Sequence, residues 1–165
     1  MENLYTEGCI RTYTGKYINI SNPKPTDIDI LDIAHSLSRM PRFAGHTEHF
    51  ISVAEHSVMC FKQANEVDKF QALMHDASEA YLVDVPSPVK AMIPNYYELE
   101  SRLMCVISEA LGFNWPMNDS IKKIDKIMLE IEWEEYVIGR KRPVYTSFDV
   151  SEAAFLNAFR YCFKM

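Results

Sequence analysis

No two cysteines in this chain stand at C-x-x-C spacing. Cys9, Cys60, Cys105 and Cys162 lie far apart, which excludes zinc knuckles and dithiol redox pairs. Free thiols of this kind fit a reducing cytosol, the expected location. No apolar run is long enough to span a bilayer, and the start, MENLYTEGCIR, has no basic, apolar leader. Positive charge is scarce: 17 Lys and Arg against 23 Asp and Glu leave a formal net charge of −6. A nucleic-acid surface needs a basic patch, so no polymer is expected as ligand. A small phosphorylated substrate stays open, because one Arg or Lys can hold it. Internal repeats, low-complexity tracts and interdomain linkers are also missing. Cys162-Phe163-Lys164-Met165 has the length of a prenylation box, but Lys164 is not aliphatic.

What is present is the composition of one globular domain. The 165 residues are 48% hydrophobic and 24% charged, enough for a single core. IRTYTGKYINI, Ile10 to Ile20, alternates around Thr14-Gly15 and predicts a small β-hairpin. Everything after it has helical periodicity. Asp27 to Met40 forms a helix capped by Thr26 or Asp27, with Ile30, Ile33, Ala34 and Leu37 on one face. Met40 to Gly45 is a break. Helices follow over Thr47 to Glu66 and Val67 to Leu82, then a proline-rich turn from Asp84 to Pro94 with one short helix. Tyr96 to Leu111 is a long helix stopped by Gly112. Asn118 to Ile138 is the next, and Gly139 to Phe148 is a loop carrying Arg140, Lys141 and Arg142. Ser151 to Phe163, capped by Ser151, is the last. The expected fold is all-α: one helical bundle, about 27–163, with a minor N-terminal hairpin.

His75-Asp76 breaks the apolar pattern of its helix. An unpaired carboxylate is costly to bury, so something must compensate it, and a cation is the simplest candidate. His56 lies beside Ala54, Val58 and Met59 in the preceding helix. Asp125 sits at the edge of the face made by Ile121, Ile124, Met128 and Leu129. Helices packed through those faces bring His56, His75, Asp76 and Asp125 together in the bundle interior, where such proteins build metal sites. Two imidazoles and two carboxylates suit Mn²⁺, Co²⁺, Fe²⁺ or Zn²⁺, and do not suit Ca²⁺.

The order H…HD…D, with the flanking Glu55-His56-Ser57, His75-Asp76-Ala77-Ser78-Glu79, Asp84-Val85-Pro86-Ser87-Pro88-Val89-Lys90 and Asp125, resembles the HD-domain metal-dependent phosphohydrolases. Within them it is similar to bacterial 5′-deoxynucleotidases and to phage dATP triphosphohydrolases. Arg42-Phe43-Ala44-Gly45-His46 is similar to short phage and prophage members. The resemblance spans roughly residues 10 to 130. It implies a site held by His56, His75, Asp76 and Asp125, and hydrolysis of a deoxynucleoside phosphate; no histidine follows His75, which favours a mononuclear site. Glu79, four residues after His75, would be the general base or acid. Asp84 would help position the nucleophile. Arg42 would clamp phosphate oxygens, with Lys90 as a further phosphate contact.

The motif residues do not separate a monophosphate from a triphosphate substrate. An HD protein that binds nucleotides without cleaving them, and a phosphodiesterase of cyclic or linear dinucleotides, are the alternatives. A homo-oligomer is expected, as is a role in nucleotide-pool control of the phage type. His46 and His49 are expected to cap a helix or line the pocket, with His49 on the same helical face as His56. His35 is expected to be structural, and Arg140 to Arg142 a solvated loop. Tyr96 and Tyr97 are expected in the core rather than stacked on a base.

Overall fold

The computed structural model describes residues 8–144 and 147–163. The start, up to residue 7, and the end of the Cys162 tetrapeptide lie outside them. Two strands, β1 (Cys9–Arg11) and β2 (Tyr17–Asn19), pair antiparallel with Ile10 opposite Ile18. Gly15 closes the turn between them at φ 89°, with its N–H on the Thr12 carbonyl at 3.0 Å. The rest is helical: α1 (Ile30–Arg39), α2 (Val53–Gln63), α3 (Lys69–Met74), α4 (Glu79–Leu82), α5 (Ser87–Lys90), α6 (Tyr96–Leu111), α7 (Asp119–Glu132) and α8 (Phe148–Cys162). This is the all-α bundle with a small hairpin that the periodicity predicts.

Helix α2 is its axis, packed against α1, α3, α7 and α8. Every residue from Ile51 to Val58 is buried, so even its polar positions face protein. Around it the core collects Ile18, Ile33, Leu37, Leu73, Leu103, Ile107 and Phe155. All seven side chains are fully buried. At roughly 1.5–3 kcal/mol per buried large side chain, this cluster holds the helices in register.

Several boundaries differ from the expected ones, each for a local reason. Residues Pro25–Asp27 make a separate 3₁₀ turn, and α1 starts only after Asp29, whose carboxylate accepts from the Leu31 N–H at 3.0 Å. Neither Thr26 nor Asp27 is the cap. Helix α2 starts at Val53, because Ser52 caps it through the Glu55 N–H at 3.1 Å. His49 is therefore not helical and shares no face with His56. The last helix begins earlier than expected. Ser147, not Ser151, accepts from the Val150 N–H, and Ser151 is buried within the first turn. The Asn118–Ile138 helix turns π-helical over Trp133–Ile138. Gly112 ends α6 in the left-handed region, φ 81°, as expected.

The predicted Val67–Leu82 helix is split. Helix α3 stops at Met74, and the chain advances through tight three-residue turns: Ala77 N–H to Met74 O at 3.0 Å, Glu79 N–H to Asp76 O at 3.0 Å. His75 Nδ1 takes the Ala72 carbonyl at 2.8 Å, the group a continuing helix offers to Asp76.

Candidate metal centre

That break brings two neighbours to one point. Adjacent residues of a regular helix face apart. Here His75 Nε2 and Asp76 Oδ2 approach to 3.1 Å. Helix α2 supplies His56, whose Nε2 lies 3.1 Å from His75 Nε2 and 3.6 Å from Asp76 Oδ2. Helix α7 supplies Asp125, whose Oδ1 is 3.2 Å from His56 Nε2 and 3.5 Å from His75 Nε2. The structure thus brings together all four residues singled out as metal ligands.

Their hydrogen bonds decide what faces inward. His56 Nδ1 pairs with Glu132 Oε1 at 2.8 Å, and His75 Nδ1 with the Ala72 carbonyl. Both partners are acceptors, so each Nδ1 carries a proton, and in the neutral ring each Nε2 presents a lone pair to the cluster. Two lone pairs and two carboxylate oxygens at 3.1–3.6 Å repel one another unless a positive charge sits among them. Two N or O donors sharing one first-row ion at about 2.0–2.1 Å stand about 2.9–3.4 Å apart. The donor set fits a divalent ion in chemistry and in spacing. Cys60, one turn after His56, adds a thiol 3.6 Å from His56 Nε2. His56, Cys60 and His75 form a buried group that could hold a metal ion, with ligand atoms within 4.8 Å of one another.

The electrostatics favour positive charge at this point. Burial opposes protonation of His75, yet the charge of Asp76 and hydrogen bonds to Asp125 and Asp76 raise its pKa well above the usual imidazole value. His56 is likewise raised: burial and the Arg42 charge work against it, and hydrogen bonds to Asp125, Cys60 and Glu132 outweigh them. Burial pushes Asp76 and Asp125 upward, but the histidines hold both well below the ordinary carboxylate range.

A cavity of about 810 Å³ opens above the cluster. Asp76 and Asp125 line its floor; Arg42, Glu79, Asp84 and Lys90 line its sides. Arg42 is buried and anchored by Glu132, through Nε at 3.3 Å and Nη2 at 2.9 Å. Its Nη1 faces Asp84 at 3.8 Å and Asp76 at 4.0 Å. The next residues, Phe43 and Ala44, hold left-handed backbone at φ 54° and 51°. Non-glycine residues are strained there, and such strain collects at functional sites. Glu79 is 4% exposed; Oε1 lies 3.4 Å from Lys90 Nζ, and Oε2 has no hydrogen-bond partner among the described residues. Its pKa is raised well above 4.5 by burial and then by the charges of Asp76 and Asp84. Lys90 also bonds Glu100 at 2.8 Å. Phe43 and Trp133 form an edge-to-face aromatic wall, centroids 5.9 Å apart.

Glu132, absent from the sequence reading, is fully buried and joins His56 to Arg42. Its signal was the seven-residue step from Asp125, two helical turns along the same face. The remaining histidines stay outside the cluster. His35 stacks on Tyr13 at 3.6 Å, and His49 lines a separate cavity of about 530 Å³. His46 ends a tight turn, its N–H on the Phe43 carbonyl at 3.0 Å. Tyr96 is buried whereas Tyr97 is 57% exposed, so only the first belongs to the core. Arg140, Lys141 and Arg142 are exposed, as expected of a solvated loop. No helix among the described residues is long and apolar enough to cross a membrane.

No protein-family model matches the chain. It is 44% identical to the uncharacterized protein YfdR of Escherichia coli K12, over 74% of this chain and 69% of that protein. It is 36% identical to the uncharacterized protein RCAP_rcc00048 of Rhodobacter capsulatus, over 76% of this chain and 71% of that protein.

Proposed function

The chain belongs to the family that contains Escherichia coli YfdR, and from the geometry of its buried cluster we propose that it is a metal-dependent hydrolase of deoxynucleoside phosphates. The observation that carries this reading is the convergence of His56, His75, Asp76 and Asp125 donor atoms at 3.1–3.6 Å. They lie beneath a cavity that also holds a buried carboxyl and two cations. The resemblance to HD-domain phosphohydrolases supplies the substrate class.

When bound, a divalent ion such as Mn²⁺, Co²⁺, Fe²⁺ or Zn²⁺ supplies positive charge that offsets and orients the phosphate. Arg42 turns Nη1 to the cavity while Glu132 fixes the rest of the guanidinium, so the donor is oriented before substrate arrives. Lys90, set between Glu79 and Glu100, adds a second cation at the edge. Glu79 presents Oε2, unpaired among the described residues, in a buried setting that favours its protonated form. It can hold a proton there and pass it to the leaving oxygen, and once deprotonated take one from water. Asp84, beside Arg42 Nη1, positions that water. The cavity volume suits a ligand of nucleotide size, and the Phe43–Trp133 wall offers an apolar surface for a base.

A panel of dNMPs, dNTPs and ribonucleotides with Mn²⁺ or Co²⁺, read for phosphate and triphosphate release, tests this function. Release from deoxynucleotides that a chelator abolishes is the expected result. Binding of the same nucleotides without any product across these metals would leave a nucleotide-binding protein instead. Two ions per chain with cleavage of dinucleotides would make it a phosphodiesterase.

A further inference from the structure

Cys60 follows His56 by four residues on α2, so both side chains leave the helix on the same face. The thiol is 1% exposed. It shares a buried apolar cluster with Ala64, Ala72, Ile121 and Met128. Near Sγ stand polar groups of the cluster: His56 Nε2 at 3.6 Å and the His75 ligand atom within 4.8 Å. One ion with bonds of about 2.1 Å to nitrogen and about 2.3 Å to sulfur sets the two donors about 3.1 Å apart at a right angle and about 3.6 Å apart at a tetrahedral one. The observed separation is the upper of these. A thiol hydrogen bond to His56 Nε2 is the competing account. It would use the same lone pair that His75, Asp76 and Asp125 surround at 3.1–3.6 Å.

We propose that Cys60 is a fifth ligand, making the centre a sulfur-containing one that takes Zn²⁺, Co²⁺ or Fe²⁺ in preference to Mn²⁺ or Mg²⁺. This rests on the reading that the cluster binds a divalent ion. It goes beyond the H…HD…D signature, which assigns no cysteine. On ligation the thiol gives its proton to solvent and the sulfur donates a lone pair, with no change of oxidation state. A soft thiolate among imidazoles and carboxylates shifts preference away from the hard oxygen-seeking ions.

Cobalt decides the matter without any assay of activity. The protein is stripped of metal, titrated with Co²⁺ by calorimetry and followed by absorption. The expected result is a near-ultraviolet sulfur-to-cobalt charge-transfer band that saturates with binding. Cys60→Ser should still bind Co²⁺ but lack the band, and its Zn²⁺ over Mn²⁺ preference should fall by about tenfold or more. Wild-type protein that binds Co²⁺ with visible ligand-field bands alone overturns the fifth ligand and leaves the four-residue site standing. A band that survives in Cys60→Ser overturns it as well. Wild-type protein that binds no Co²⁺ overturns the metal centre itself and the inference with it.

Discussion

Glu132 Oε1 stands 2.8 Å from His56 Nδ1 with neither side chain reaching solvent. The other oxygen of the same carboxylate receives Arg42 through two nitrogens. One buried acid therefore sets the tautomer of a metal-type histidine and the orientation of a phosphate-type arginine. Burial alone would raise its pKa, but His56 and Arg42 lower it, so it stays charged.

Glu132→Ala leaves the Arg42 charge buried without its partner and frees the His56 ring to turn. The expected loss is about 3–5 kcal/mol of stability, seen in the denaturant midpoint. Metal affinity of the remaining folded protein should drop about 10–100-fold, as for other partners of ligating histidines. Unchanged affinity would show that Glu132 is not what orients His56.

Arg42→Lys keeps the charge and loses the fork. Lysine cannot span Glu132 with two bonds and still present a nitrogen to the cavity. The expected cost is about 1.5–3 kcal/mol, the worth of one charged hydrogen bond. In the nucleotide assay the Michaelis constant should rise more than the turnover number falls. A variant equal to wild type in both would remove Arg42 from phosphate binding.

Glu79→Gln separates catalysis from stability. Turnover should fall by about 10²–10⁴, the range for acid–base catalysis, with metal binding retained. The folded-state pKa of Glu79 is raised by burial and then by Asp76 and Asp84, so the folded chain holds this proton more tightly than the unfolded one. The stabilising effect is full below the ordinary value of 4.5 and is lost as pH rises through the folded value. In metal-free protein the glutamine variant, which cannot ionise, should therefore gain on wild type as pH climbs from 4.5 towards that point, and keep a constant margin above it. Denaturation midpoints that track together across pH would contradict this placement of Glu79.

Much of the molecule was legible in the sequence. The hairpin around Gly15, the Gly112 stop and the four ligand-type residues follow from alternation, glycine chemistry and motif order. The break at His75 was not, because His75, Asp76, Ala77 and Ser78 contain no glycine or proline. Its cause is a side chain bonding back to the Ala72 carbonyl, which depends on where the imidazole is pulled. The left-handed Phe43 and Ala44 were hidden for a related reason, since local preference argues against positive φ at both. Glu132 and Cys60 lay at helical spacing from Asp125 and His56. Glutamate and cysteine at such positions are common, and only their depth of burial distinguishes these two.

Calorimetric titration of metal-free wild-type protein and Asp76→Ala with Mn²⁺, Co²⁺ or Zn²⁺ tests the central claim most directly. The account predicts one ion per wild-type chain and a loss of binding in the variant, because Asp76 Oδ2 lies 3.1 Å from His75 Nε2 and 3.6 Å from His56 Nε2. A wild-type chain that takes up none of these ions, or an Asp76→Ala chain that binds them as tightly, would contradict it.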